Sequence, residues 1–132
     1  MTRAFARALK VQGGGGYAVV NTTSVSGLRG NFGQANYGAA KAGIFGLTRV
    51  CSIEMEKLGC RVNAIAPVAL TRMTEDVARL SQMGIESMGP QHISPVVTWL
   101  ASDLAKDLNG RVFGVQGTKV FEYRMAQSDG LD

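Results

Sequence analysis

Two short apolar runs separated by one long helical pattern constrain the fold more than any other feature. Tyr17 to Thr23 is almost continuously apolar, and Arg61 to Ala66 forms a similar run that ends at Pro67. Such runs are typical of strands buried on both faces of a parallel sheet. Between them, Ala35 to Leu58 predicts one helix closed by Gly59. Its apolar positions, spaced three or four apart, are Ile44, Leu47, Cys51, Met55 and Leu58. A strand, a crossover helix and another strand predict an α/β fold.

Two helical patterns and one further apolar run complete the predicted sheet. Thr2 to Val11 is amphipathic and predicts a helix. Ser94 and the proline after it predict an N-cap and a first helical position, so a helix is expected over Pro95–Leu104. An Asn-Gly turn then leads into a third strand, Arg111 to Gln116. We therefore predict three layers, with three parallel strands between helices.

Glycine is unusually frequent, at 17 of 132 residues, and some of it lies inside the predicted long helix. One side of that helix carries only small residues, namely Gly38, Ala39, Ala42, Gly43 and Gly46. A glycine in a helix interior costs about 1 kcal/mol relative to alanine. Three of them predict that some other part of the protein packs very close to this side.

The two ends of the predicted domain are less patterned. Val68 to Gln91 is rich in methionine and alternating charge, which predicts a long adaptable loop of the kind that covers a site. Little pattern is visible from Gly117 onward. We expect one domain over residues 1–124 and a mobile tail over residues 125–132.

Charge and composition argue against several classes of protein. The net charge is +4, but the basic residues are scattered from Arg3 to Arg124, so nucleic acid is not an expected partner. No apolar run reaches the roughly 18–20 residues of a membrane span, and Met1 to Lys10 does not resemble a signal peptide. We expect a cytoplasmic protein with no membrane partner. Cys51 and Cys60 have no metal-ligand spacing and are predicted to be reduced core thiols, with no metal site.

Three residues form the candidate catalytic constellation. Ser24 follows the first predicted strand, Tyr37 begins the long helix, and Lys41 lies four residues later on the same helical face. Open α/β sheets bind ligands at the carboxyl ends of their strands. A lysine ammonium close to a phenol favours the phenolate, which lets a tyrosine act as general acid or base. Ser24 would hydrogen-bond the substrate oxygen, so the site suits carbonyl reduction or alcohol oxidation. The competing interpretation of the pair is an exposed Tyr and Lys on a helix surface.

The motifs around these residues resemble the short-chain dehydrogenase/reductase family. The resemblance is carried by Val19 to Ser24, Asn31 to Lys41 and Arg61 to Pro67, and it extends from about Met1 to Arg124. It implies a Rossmann-type doubly wound parallel sheet and a nicotinamide cofactor, NAD or NADP.

Particular segments are similar to the hydroxyacyl-CoA dehydrogenase domains of peroxisomal multifunctional β-oxidation enzymes and their bacterial relatives. These segments are Asn31 to Lys41, Ala66 to Thr74, and Ser94 to Leu100. The implied substrate is a 3-hydroxyacyl-CoA or a similar secondary alcohol, and the implied assembly is a homo-oligomer, a dimer or a tetramer.

The resemblance also implies roles for individual residues. Ser24, Tyr37 and Lys41 match the catalytic serine, tyrosine and lysine. The implied cofactor-binding residues are Tyr37, Lys41, Pro67, Val68, Leu70 and Thr71. Val68 stands where the family has a glycine, which is a departure from the pattern at the nicotinamide.

The family's Gly-rich turn and catalytic asparagine have no match in this sequence. The chain therefore resembles the carboxyl-terminal half of such a dehydrogenase. Two hypotheses follow. Either the chain is part of an oxidoreductase, or it is a catalytically inactive truncated product that serves, if at all, as an oligomerisation or binding module.

Overall fold

The computed structural model describes residues 2–68 and 89–130. Its helices and strands, in chain order, are α1 (Thr2–Gln12), β1 (Tyr17–Thr22), α2 (Val25–Arg29), α3 (Ala35–Glu54), β2 (Cys60–Val68), α4 (Ile93–Ala101), β3 (Val112–Gln116) and β4 (Lys119–Tyr123). Short 3-10 turns lie at Glu56–Leu58, Pro90–His92 and Asp103–Ala105. The strands form one sheet in the order β1-β2-β3-β4.

The predicted parallel pairing is confirmed. β1 pairs with β2 in parallel, with Thr22 opposite Ile65, and β2 pairs in parallel with β3. β4, which was not predicted, pairs antiparallel with β3 across a tight turn. Because β2 continues to Val68, its carboxyl end projects beyond the end of β1.

Helices cover both faces of the sheet, so the predicted three layers are confirmed. Val62 of β2 packs in one core cluster with Leu9 of α1 and Cys51 of α3. Ile65, on the opposite face of the same strand, packs with Val96 of α4. The alternation follows from the strand period of two.

Within this sheet the burial of β1 differs from the prediction. We expected a strand buried on both faces, but its residues from Tyr17 to Asn21 are half-buried and Thr22 is exposed. The fully buried strand is β2, in which residues 62–66 are all buried. The physical reason is position, since β1 is the first strand in the sheet order of the described residues and β2 lies between two neighbours.

The long helix is shorter than predicted and turns a different face to the core. It ends at Glu54, and a 3-10 turn continues to Gly59, which adopts the left-handed conformation (φ 64°) that closes it. Leu47, expected in the core, is exposed, whereas Thr48 one position on is buried. The small-residue side is only partly in close contact. Gly38 lies near the backbone of another element, but a side-chain carbon on Gly43 or Gly46 would meet nothing within 4 Å.

The start of α4 also differs from the prediction. Ser94 is not an N-cap, because the helix already begins at Ile93, directly after the 3-10 turn Pro90–His92. The proline that opens this segment is Pro90, which follows the extended residue Gly89. The predicted loop over Val68–Gln91 lies largely outside the described residues.

Candidate active site

Lys41 lies at the carboxyl end of β1. Its Nζ donates a hydrogen bond to the carbonyl oxygen of Thr22, the last residue of the strand, across 2.9 Å. The side chain is half-buried. The ammonium is therefore fixed at the edge of the sheet where α/β proteins bind ligands.

Tyr37 lies one helical turn before Lys41 on the same face of α3. The Lys41 Nζ is 5.7 Å from the centroid of the Tyr37 ring, within the range of a cation–π contact. The tyrosine is 43% exposed, so the residue is accessible to a ligand. The structure thus brings these two predicted residues together.

Ser24 lies two residues beyond the end of β1. It is extended (φ −153°, ψ 154°) and serves as the N-cap of α2, with its Oγ accepting a hydrogen bond from the Ser26 backbone N–H across 3.3 Å. This contact uses a lone pair and leaves the hydroxyl proton available to donate. The prediction placed Ser24 at a strand end, and its capping role arises from the short helix α2, which sequence analysis did not identify.

Thr23, which sequence reasoning did not single out, connects the strand end to the helix. Its Oγ1 donates to the backbone carbonyl of Lys41 across 2.7 Å, and the residue is 1% exposed. The residue directly before Ser24 is therefore bonded to Lys41, which carries the ammonium. A threonine at the end of an apolar run indicates only a strand, so no sequence signal revealed this contact.

The predicted cofactor-binding residues that follow Ala66 in the sequence are described only in part. Pro67 and Val68 are half-buried, lie at the carboxyl end of β2 and pair with Val115 and Gln116 of β3. Leu70 and Thr71 lie outside the described residues. Because β1 and β2 are parallel neighbours, Pro67 and Val68 lie at the same edge of the sheet as Lys41.

Two further properties concern the described part of the chain only. None of its helices combines the length and apolar character needed to cross a bilayer. No cluster of three or more His, Cys, Asp or Glu side chains within residues 2–68 and 89–130 could hold a metal ion.

A parallel α/β sheet with a serine after one strand and a tyrosine–lysine pair on the long crossover helix that follows, here α3, is typical of nicotinamide-dependent dehydrogenases and reductases. The family model described as enoyl-(acyl carrier protein) reductase matches residues 1–117. The chain belongs to the short-chain dehydrogenase/reductase family.

Curated relatives support this assignment. A Mycobacterium tuberculosis protein named as a short-chain type dehydrogenase/reductase is 44% identical over 114 residues, which cover 86% of this chain and 39% of the relative. The mouse peroxisomal multifunctional enzyme type 2 is 44% identical over 74% of this chain and 13% of its own length. The hydroxyacyl-CoA dehydrogenase ChsB1 of M. tuberculosis is 44% identical over 77% of this chain and 33% of its own length.

Solved structures agree. A short-chain dehydrogenase from Mycobacterium avium is 40% identical and superposes with a TM-score of 0.78 over 98% of this chain and 42% of its own. A 4-hydroxyisoleucine dehydrogenase complexed with NADH and succinate is 31% identical, with a TM-score of 0.71 over 87% of this chain and 50% of its own. The chain thus spans half or less of the length of each of these proteins.

Proposed function

We propose that this chain supplies the acid–base residues of an NAD(P)-dependent oxidoreductase that interconverts a secondary alcohol and a ketone. The observation that carries the proposal is the position of Lys41. Its ammonium lies against the last carbonyl of β1 and 5.7 Å from the Tyr37 ring.

The proposed roles follow from the chemistry of each side chain. Ser24 donates a hydrogen bond to the substrate oxygen and orients it. Tyr37 gives a proton to that oxygen in the reductive direction and takes one from it in the oxidative direction. The Lys41 ammonium stabilises negative charge on the phenolic oxygen. General acid–base catalysis of this kind is worth about 10²–10⁴ in rate.

The residues present fit a nicotinamide dinucleotide, either NAD or NADP. An ammonium has three N–H donors, and Lys41 uses one on Thr22. The remaining donors suit ribose hydroxyls, and the backbone of Pro67 and Val68 at the neighbouring strand end suits the carboxamide. The resemblance adds Tyr37, Leu70 and Thr71 to this proposed binding set. When bound, the dinucleotide supplies or accepts the hydride.

For the substrate we propose a 3-hydroxyacyl-CoA or a related secondary alcohol. The support is the identity of 44% with a relative named as a hydroxyacyl-CoA dehydrogenase and with a peroxisomal multifunctional enzyme.

The proposed assembly is a homo-oligomer formed through the outer face of α3. Three apolar residues at helical spacing, Leu47, Val50 and Ile53, are exposed there. Contiguous apolar surface of this kind marks an interaction site. A second copy of the chain would bury it by presenting the same helix, as two-fold dimers do.

A cytoplasmic location is also part of the proposal. Cys51 and Cys60 are free thiols buried in the core, as in proteins of reducing compartments. Cell fractionation would check it, and recovery of the chain in peroxisomes or another organelle would contradict it.

Activity should be tested on two forms of the protein. One is the 132-residue chain. The other is a fusion with the part of the M. avium dehydrogenase that the 42% match leaves uncovered, placed before this chain because the chain resembles a carboxyl-terminal half. The assay follows NADH and NADPH oxidation with a 3-oxoacyl-CoA. We expect the fusion to turn over, and Tyr37→Phe to reduce kcat by at least about 10²-fold. Dinucleotide affinity should change little, because the variant loses the proton donor and keeps most of the Tyr37 contact area.

Tyr17→Phe is the matched control. Tyr17 lies at the opposite end of β1 and loses only a 3.3 Å hydrogen bond to Gln12, so its kcat should not change. Full activity in Tyr37→Phe would refute the proposed roles. A wild-type fusion that binds no dinucleotide and only associates would favour the alternative, an oligomerisation module.

A further inference from the structure

Helix α2 crosses α3 at a point where neither helix has room for another atom. A Cβ on Gly27 of α2 would lie 2.5 Å from both the Lys41 carbonyl carbon and the Ala42 nitrogen, and 2.8 Å from the Lys41 Cβ. Ordinary van der Waals contact begins at 3.4 Å. The backbones of the two helices therefore touch at Lys41, and only glycine at position 27 permits this contact.

Two other contacts hold the same crossing. The Thr23 hydroxyl donates to the Lys41 carbonyl across 2.7 Å. At Gly38, beside Tyr37, a Cβ would lie 3.2 Å from the carbonyl oxygen of Ser26. Thr23, directly before Ser24, is thus bonded to Lys41. Ser26, two residues after Ser24, lies close to Gly38, which follows Tyr37.

We propose that Gly27 is a positioning residue, which sets the distance between Ser24 and the Tyr37–Lys41 pair by allowing α2 to pack directly on the α3 backbone. This inference rests on the proposed function for its catalytic consequence. Gly27 itself touches neither substrate nor cofactor. Its effect reaches the site because Ser24 caps α2, and the position of α2 on α3 depends on Gly27.

Replacing Gly27 should misalign Ser24 with the Tyr37–Lys41 pair without removing any catalytic group. In Gly27→Ala, the new methyl group must separate α2 from α3, because the atoms it meets are mainly backbone. A misplacement of about 1 Å at a reacting centre can reduce the rate about 10²-fold. Dinucleotide binding should persist, since the described residues proposed to hold the cofactor, Tyr37, Lys41, Pro67 and Val68, lie on α3 and β2.

The test compares three glycines of α2 and α3 that differ in the space around them. Gly27→Ala introduces contacts of 2.5 Å, Gly38→Ala one of 3.2 Å, and Gly43→Ala none within 4 Å. In the fusion, we expect kcat to fall about 10²-fold for Gly27→Ala, less for Gly38→Ala, and not at all for Gly43→Ala. The KM for the dinucleotide should stay unchanged in all three. Gly38→Ala also keeps the test valid if Gly27→Ala does not fold.

A second readout on the full 132-residue chain does not depend on activity. Nuclear Overhauser contacts between the backbone protons of Ser26 and Gly38 report on the separation of α2 from α3, because a Cβ on Gly38 would lie 3.2 Å from the Ser26 carbonyl oxygen. We expect these contacts to weaken in Gly27→Ala and to persist in Gly43→Ala, with light scattering showing equal mass.

The outcomes separate the two proposals. Unchanged contacts and unchanged kcat in Gly27→Ala would overturn the positioning role while leaving the proposed function intact. An inactive wild-type fusion would count against the proposed function, and the Overhauser contacts would still decide whether Gly27 sets the geometry. A raised dinucleotide KM with constant kcat in Gly27→Ala would also contradict the positioning role.

Discussion

The side-chain carbonyl of Asn63 accepts a hydrogen bond from the backbone N–H of Arg111 across 2.9 Å. The same side chain donates to the Leu108 carbonyl across 2.8 Å. Asn63 is 1% exposed and lies in the centre of β2, so water cannot replace either partner. One buried amide thus joins β2 to the loop that leads into β3. It fixes the register of the two strands, and the candidate site depends on this sheet.

Asn63→Ala should therefore destabilise the chain severely. It leaves a backbone N–H and a carbonyl with fewer partners in the core, and each buried unsatisfied group costs about 1–3 kcal/mol. We expect a loss of about 2–4 kcal/mol in the free energy of unfolding, measured by urea denaturation. Asn31→Ala is the control, since its side chain makes an exposed 3.1 Å contact with Gln34. It should change stability by less than about 0.5 kcal/mol. Equal losses would contradict the role given to Asn63.

Gly16 and Gly59 have nearly the same φ but different surroundings. Alanine variants of the two therefore distinguish the cost of backbone strain from the cost of steric crowding. Gly59 has φ 64° and a Cβ there would lie 2.8 Å from the Gly15 Cα, whereas Gly16 has φ 68° and open space. Alanine at Gly16 should cost about 1–2 kcal/mol, from the left-handed conformation alone. Gly59→Ala should cost a further ~1–3 kcal/mol from overpacking. Thermal unfolding of both variants measures the difference, and equal costs would show that the loop of Gly15 yields freely.

Most of the sheet follows from sequence because parallel strands carry a strong apolar signal. β4 was missed although Lys119–Tyr123 is rich in β-forming residues and Gly117 begins a two-residue link from β3, which is a hairpin signal. Helix α2 could not be predicted from periodicity. It has five residues, one of them Gly27, and its stability comes from packing on α3.

The candidate site was accessible to sequence reasoning only at the level of elements. The spacing of Tyr37 and Lys41 predicted a shared helical face, but no spacing predicts a side chain bonded to the Thr22 carbonyl. The error at Leu47 has a similar origin. The helix has apolar residues on two sides, and the sequence does not state which side meets the sheet.

The stability of the chain should depend on pH through Glu122. The hydrogen bond from Arg124, at 2.6 Å, holds the pKa of this carboxyl below its usual value, and a second bond from Arg111, at 2.9 Å, acts in the same direction against partial burial. A carboxyl with a lowered pKa in the folded state binds fewer protons there than in the unfolded state. Its contribution is present above the unfolded pKa and is lost as pH falls through the folded one.

Glu122→Gln should accordingly lower the melting temperature at pH 7, and the difference from wild type should shrink as pH falls below about 4.5. The effect should be modest because the Arg124 side chain is exposed. In an Arg124→Gln background, Glu122→Gln should have a smaller effect at pH 7. A difference in melting temperature that grows as pH falls would contradict a lowered pKa of Glu122 in the folded chain.

The two thiols should be unreactive in the folded chain. Burial raises the pKa of both, with a further rise at Cys51 from Glu54, and at Cys60 from Cys51 against the lowering effect of Arg61. The thiolate is the reactive form, so a raised pKa and burial together suppress reaction. With dithiobis(nitrobenzoate) at pH 8, we expect both thiols of the native chain to react slowly and both to react rapidly in urea. The absorbance of the released thionitrobenzoate measures the rate. Rapid reaction of the native chain would show that the core around α3 opens readily.

A single charged side chain on the outer face of α3 should dissociate the oligomer that we propose for this face. Val50 is 52% exposed between Leu47 and Ile53, and burying a glutamate between two copies of an apolar helix face is strongly unfavourable. We expect wild type to scatter light as a dimer or tetramer and Val50→Glu to have the mass of one chain, 14.0 kDa. Val120→Glu is the matched control, because Val120 is similarly exposed, at 48%, but belongs to β4 and not to α3. A monodisperse wild-type monomer would refute the interface. Association that survives Val50→Glu would instead point to the β1 side of the sheet, where a strand edge can pair with another chain.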